Sequence, residues 1–153
     1  MKALYVLLGA LIVLVVTGTT FAQGETGQDK TKSAPSSWQA TAVADGADLY
    51  RELCAACHGK GGRGDGPTAG ELKKMVPDLT RLAARNNGLF PRDTVQDSIA
   101  GESPVLSHGT AEMPIWGQVF ENERPDRKMF ERKALAKQRL YNLTEYLATI
   151  QAK

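Results

Sequence analysis

An all-α fold is predicted for this chain on three observations. The stretch Asp126 to Gln151 holds no proline or glycine, and Ala136, Leu140, Leu143, Leu147 and Ile150 recur in it at alternating steps of four and three, one face of a helix. From Asp45 onward no segment alternates apolar and polar residues as a half-buried strand does, and no hairpin signal appears. The third observation is Cys54-Ala55-Ala56-Cys57-His58, two thiols on one helical turn with an imidazole directly after them.

The elements follow in chain order. Lys2, the apolar run Ala3 to Val16 and the small-x-small triplet Thr20-Phe21-Ala22 form the pattern of an export signal over residues 1–22. The apolar run is short of the about 20 residues that a bilayer span needs, although extension through Ala22 nearly reaches it. An uncleaved N-terminal anchor is therefore the alternative. Either outcome puts the remainder outside the cytoplasmic membrane, in the periplasm or on the outer face of the cytoplasmic membrane. Loss of Lys2 with the leader lowers the net charge from +2 to +1. A chain so nearly neutral, with no clustered basic face, is not expected to bind nucleic acid. Gln23 to Ala40 is polar and aperiodic, so a flexible linker is expected over 23–43 and a single domain over 44–153.

The domain is expected to open at Asp45, where Asp45-Gly46-Ala47-Asp48 has the form of a capping box. Gly46, Tyr50, Leu53, Cys54 and Cys57 then share one helical face. Gly59 to Pro67 contains five glycines but no following Lys-Ser/Thr pair, which argues against a phosphate loop. Asp78 is placed to cap a helix running to Arg85, with Asn86-Asn87-Gly88 as its stop. Pro91 opens a further helix carrying Val95 and Ile99, closed by Gly101. Between Gly117 and the final apolar stripe, Gln118–Lys137 interleaves Glu121, Glu123, Asp126 and Glu131 with Arg124, Arg127, Lys128, Arg132 and Lys133. Such a run usually forms a solvated face; a docking surface is the other reading.

The cysteine motif carries the chemistry. Each thiol of a Cys-x-x-Cys-His unit can add to one vinyl group of the same porphyrin, and the histidine then lies under the iron. The chain has two cysteines, both in this unit, and two histidines. A disulfide scaffold or a four-thiolate cluster needs more cysteine than that. A thiol–disulfide motif would sit at the head of a helix in a βαβ setting, whereas here a helical pattern runs into the cysteines. A zinc site would have to recruit His108 or carboxylates. The reading is one haem c per chain, covalently held by Cys54 and Cys57, its iron ligated by His58. An electron-shuttling iron wants a second axial ligand, and four methionines are present. Met1 is in the leader, Met129 opens the charged helix, Met75 lies in Lys73-Lys74-Met75-Val76-Pro77, and Met113 lies in Glu112-Met113-Pro114-Ile115-Trp116-Gly117. His108, five positions before Met113, is read as a surface histidine, with ligation in place of Met113 as the alternative.

With these segments in view, the chain resembles a single-haem class I cytochrome c over roughly residues 44–151. The resemblance rests on Gly46-x3-Tyr50-x3-Cys54-x2-Cys57-His58-Gly59, on Gly64-Asp65-Gly66-Pro67 and Pro77-Asp78-Leu79, on Met113-Pro114-x-Trp116-Gly117, and on Leu143-x2-Tyr146-Leu147. It implies a small all-α fold whose first and last helices cross, with Gly46 and Tyr50 packed against Leu143 and Tyr146. It also implies haem in a cleft between the Cys-x-x-Cys-His helix and the methionine loop. Met113 would be the sixth ligand and Trp116 part of the haem environment, and the carbonyl of Pro67 would accept from Nδ1–H of His58. The function implied is electron transfer without acid–base or nucleophilic catalysis. The protein would work as a diffusible monomer or as a subunit of a respiratory or dehydrogenase complex, exchanging electrons with other redox proteins. Contact with the membrane is expected only if the leader is retained. A haem enzyme or gas sensor with a labile sixth position is the competing class.

Overall fold

The computed structural model describes residues 36–102 and 113–152. The expected leader, the expected linker up to residue 35, and His108 lie outside the described residues. Among those described there are six α-helices, two 3-10 turns and no strand.

Helix α1 runs over Ser37–Leu53. Its start corrects the expected boundary, because residues 37–43 belong to the helix and not to a linker. The N-terminus is closed at Ser36, whose backbone N–H and hydroxyl both donate to Gln39 Oε1 at 3.0 and 2.9 Å. Asp45 and Asp48, expected to cap, instead lie inside the helix, where Asp48 pairs with Arg51 and Asp45 accepts from Asn142 Nδ2 at 3.3 Å. An acid followed three residues later by another acid is also an ordinary i,i+3 pattern of a polar helix face, so the motif alone does not locate a terminus.

Helix α2, Ala55–His58, follows a one-residue break at Cys54. A 3-10 turn at Ala69–Glu71 comes next, then a second at Leu79–Arg81 and helix α3, Leu82–Arg85. Asp78 caps the second turn, its carboxylate accepting from the N–H of Thr80 at 2.8 Å, and the α-helix expected from Asp78 begins only at Leu82. Helix α4, Arg92–Ala100, follows Pro91 and ends at Gly101, which takes the left-handed conformation that glycine adopts without strain. Helix α5, Trp116–Asn122, corrects a second expectation, since the stretch after Pro114 was read as loop and charged face. Helix α6, Met129–Thr149, is the longest, and it begins three residues later than the sequence pattern suggested.

The core forms where α1, α4 and α5 meet α6. Tyr50, Leu143 and Thr144 are fully enclosed, with Val95, Ile99, Phe120, Ala136, Leu140 and Leu147 around them. At Gly46 the backbones of α1 and α6 touch. A Cβ placed there would stand 2.0 Å from the carbonyl oxygen of Asn142 and 2.9 Å from Tyr146 Cβ. The neighbours of Gly46 are thus Asn142 and Tyr146, while Tyr50 packs in a tilted pair with Tyr146 at 5.1 Å between ring centroids.

The charged stretch before α6 is solvent-exposed, with several of its groups paired. Arg132 donates to the carbonyl of Glu121 at 2.6 Å, Arg124 pairs with Asp126 at 3.0 Å, and Arg139 pairs with Glu123 while lying over the ring of Phe120. These contacts join α5 to α6, so much of the charge serves the turn between two helices.

Candidate cofactor site

The cysteine motif ends α2, a helix of one turn, whose last carbonyls lack partners within the helix. The glycine-rich loop supplies them one by one. The carbonyl of Ala55 accepts from Gly59 N–H at 2.9 Å, Ala56 from Thr68 at 3.0 Å, Cys57 from Gly66 at 3.1 Å and His58 from Gly64 at 2.9 Å. The loop is therefore wrapped against the helix end that carries the thiols and the imidazole. At Gly64, with φ at +80°, a Cβ would lie 2.3 Å from the carbonyl oxygen of Val76. Leu79 N–H then donates to the carbonyl of Gly62 at 2.7 Å, which brings residues 76–79 back beside the loop.

This return sets His58. Its side chain is only 7% exposed, and Nδ1 lies 3.4 Å from the carbonyl of Pro77, a long hydrogen bond. A carbonyl only accepts, so this contact calls for the proton on Nδ1, the arrangement in which a neutral imidazole presents Nε2 to a metal. The role expected of Pro67 falls to Pro77. Pro67 is exposed, because Gly66 and Thr68 on either side of it are bonded to α2 while the proline ring turns to solvent. The sequence contained both prolines, and only the fold of the loop says which carbonyl returns to the histidine.

Cys54 and Cys57 are partly accessible thiols, not joined in a disulfide. Burial, and secondarily Cys57, pushes the Cys54 thiol up to about 12. A dithiol oxidoreductase needs the opposite, a thiol whose ionisation is favoured. Among the described residues no three His, Cys, Asp or Glu side chains gather as a metal-binding group, so Cys54, Cys57 and His58 do not converge on one point. An arrangement of two thiols and an oriented imidazole at separate points suits an extended group held at several positions. The apolar side chains that pack on the core but stay partly open, Leu53, Leu79, Leu82, Phe90 and Trp116, suit the flat apolar body of a porphyrin. The donor set fits haem c.

Met113 is half-buried in a bend before Pro114. Two residues on, Ile115 lies over Gly101, and Gly117 sits against Ala100, where a Cβ would be 2.8 Å from the Ala100 carbonyl oxygen. The end of α4 and the start of α5 thus meet closely, and Met113 is anchored beside that junction. Trp116 opens α5 and packs on Phe120 at 5.8 Å between centroids. Met75, by contrast, is 94% exposed.

Two residues that sequence reasoning did not single out join the site. Thr68 touches Cys57 and Ala56. Gln151 donates to the carbonyls of Leu79 and Leu147 at 2.9 and 2.7 Å and accepts from the N–H of Ala83 at 2.9 Å, holding the segment after Pro77 from the far end of the chain. A glutamine after the last helical residue and a threonine in a glycine-rich loop carry no sequence signal of their own.

A strandless helical fold whose first helix runs into Cys-x-x-Cys-His, with a buried and oriented histidine, defines a class I c-type cytochrome. The family model described as cytochrome c oxidase, cbb3-type, subunit III matches residues 41–127, and the chain belongs to that family. The match includes the cysteine motif and Met113 and stops just short of α6. No curated protein and no solved structure matches the chain. Membership implies covalently bound haem c and an electron-transfer role.

Proposed function

We propose that the chain carries one haem per molecule, attached through Cys54 and Cys57 and ligated by His58 and Met113, and works as an exported one-electron carrier. The observation that carries this reading is the buried His58, its ring oriented by the Pro77 carbonyl, directly after two thiols on the same helix end. Haem, when bound, supplies the one-electron iron couple. The protein's part is to hold and shield. Cys54 and Cys57 fix the group, Pro77 sets the imidazole, and the Met113 loop closes the other face of the cleft. Met113 supports a relatively high potential, because a thioether favours the reduced metal. No acid, base or nucleophile is needed. The partners are other redox proteins, and the family's description favours service as a subunit of a respiratory oxidase complex over free diffusion. The export-signal pattern of residues 1–22 supports work outside the cytoplasmic membrane.

The test uses the full chain expressed with haem-attachment machinery. Purified protein is expected to show one haem per chain, with the reduced pyridine spectrum of two saturated vinyl groups. Met113→Ala should abolish the far-red thioether–iron(III) band, lower the reduction potential and admit carbon monoxide, whereas Met75→Ala and His108→Ala leave the band intact. A colourless wild-type protein overturns the haem assignment. Carbon monoxide binding by the wild type would instead favour the ligand-binding class.

A further inference from the structure

We propose that Thr68 is a positioning residue for haem attachment: its hydroxyl holds the Cys57 thiol in place for thioether formation, an inference that rests on the haem reading above.

The geometry begins with the carbonyl of Ala56. It receives two bonds from the same residue, from Thr68 N–H at 3.0 Å and from Thr68 Oγ1–H at 2.8 Å. A hydroxyl has one proton and two acceptor lone pairs. With its proton given to Ala56, Thr68 Oγ1 can only accept from Cys57 Sγ, which lies 3.2 Å away. The S–H bond is therefore directed at a fixed oxygen.

That oxygen is fixed because the strap carrying it lies hard against α2. Gly66 donates to the carbonyl of Cys57 at 3.1 Å, and a Cβ on Gly66 would stand 2.3 Å from the Ala56 carbonyl oxygen. Only glycine permits this approach, and Thr68 arrives two residues later at the Cys57 sulfur. The Cys57 thiol is thus held by a hydroxyl, and no such bond reaches Cys54 among the described residues.

Thioether formation breaks the Sγ–H bond and forms an Sγ–C bond to the vinyl carbon next to the ring. The hydrogen ends on the terminal vinyl carbon, so the addition is redox-neutral and needs no oxidant. A thiol already ordered by Thr68 loses less rotational freedom in reaching that geometry. The hydroxyl takes no part in the bond changes.

Thr68→Val removes the hydroxyl with little change of shape, keeps the N–H bond to Ala56 and alters an exposed position. Thr68→Ala does the same with less bulk, and Thr68→Ser keeps the hydroxyl. Each full-length variant is expressed with haem-attachment machinery. Within the haem-bearing fraction, the reduced pyridine spectrum and the mass of the Cys57 peptide give the share of chains attached at Cys54 alone. Thr68→Val and Thr68→Ala are expected to raise that share severalfold, seen as a red-shifted α-band and an unmodified Cys57 peptide, while Thr68→Ser behaves as wild type. Full double attachment in Thr68→Val and Thr68→Ala overturns the proposal. So does an equal defect in Thr68→Ser, which keeps the hydroxyl and would show that the hydroxyl does not carry the effect. A wild-type protein without haem would fail the functional reading itself, whatever Thr68 does.

Discussion

Tyr50 joins the core to the loop below the cofactor site. The residue is 1% exposed, its ring packs tilted against that of Tyr146, and its hydroxyl donates to the carbonyl of Gly59 at 2.7 Å, the residue after His58. Burial, followed by the nearby Cys54, Tyr146 and Asp65, raises the phenol well above its ordinary range. A raised folded-state value means that the folded protein keeps a proton the unfolded chain releases at about pH 10. The stability contribution is therefore complete below that pH and is lost as pH climbs beyond it. Tyr50→Phe should lower stability at neutral pH by about 1 kcal/mol, since the buried Gly59 carbonyl loses one of its two donors and keeps the other, the N–H of Gly62 at 3.1 Å. It should also flatten the decline in denaturation midpoint on the alkaline side. Parallel midpoint curves for the two proteins from neutral to alkaline pH would exclude this role for the phenol. Pro77 teaches a complementary lesson at this scale, because its contribution is a backbone carbonyl and its side-chain identity says nothing about where that oxygen points.

At the scale of elements, the contact of α1 with α6 depends on Gly46. Replacing glycine by alanine inside a helix normally stabilises it by about 1 kcal/mol. Here the added carbon would meet a backbone carbonyl at 2.0 Å, and a backbone oxygen cannot swing aside. Gly46→Ala is expected to be destabilising by about 2 kcal/mol or more, the two helices being forced apart. Gly61→Ala is the contrast, for no atom lies within 4 Å of its would-be Cβ and its backbone is not left-handed. It should stay within about 0.5 kcal/mol of wild type. Chemical denaturation of both variants checks the pair, and equal stability would deny Gly46 its place in the helix contact. Five glycines lie in the loop from Gly59 to Pro67. The structure separates them: Gly64 and Gly66 fit against protein backbone, and Gly61 fits against nothing.

Across the whole domain, the last residues of the chain hold the middle of it. Besides the three bonds of Gln151, Ala152 N–H donates to the carbonyl of Thr80 at 2.7 Å, so the end of α6 clamps residues 79–83. The same segment is bonded to the glycine loop at Gly62 and includes the start of α3. Gln151→Ala removes three hydrogen bonds and is expected to cost about 2–3 kcal/mol. Hydrogen exchange gives the sharper test. The Ala83 amide should exchange much faster in the variant, while amides where α1 meets α6 keep their protection. Unchanged exchange at Ala83 would show that the clamp does not hold the segment.

The helical class, the apolar stripe of α6, the stops at Asn86-Asn87-Gly88 and Gly101, and the cysteine–histidine unit were all legible in the sequence. Each is a local signal: periodicity, a cap, or a spacing within one turn. The start of α1 was misplaced because a polar first turn resembles a linker until its far end is seen packing, with Trp38 against Tyr141 and Asp45 against Asn142. Tertiary structure alone decided which proline serves His58, which hydroxyl reaches Cys57 and what Gln151 holds. Those contacts join residues 11 to 72 positions apart, and they depend on backbone groups that every residue shares, so no residue type announces them.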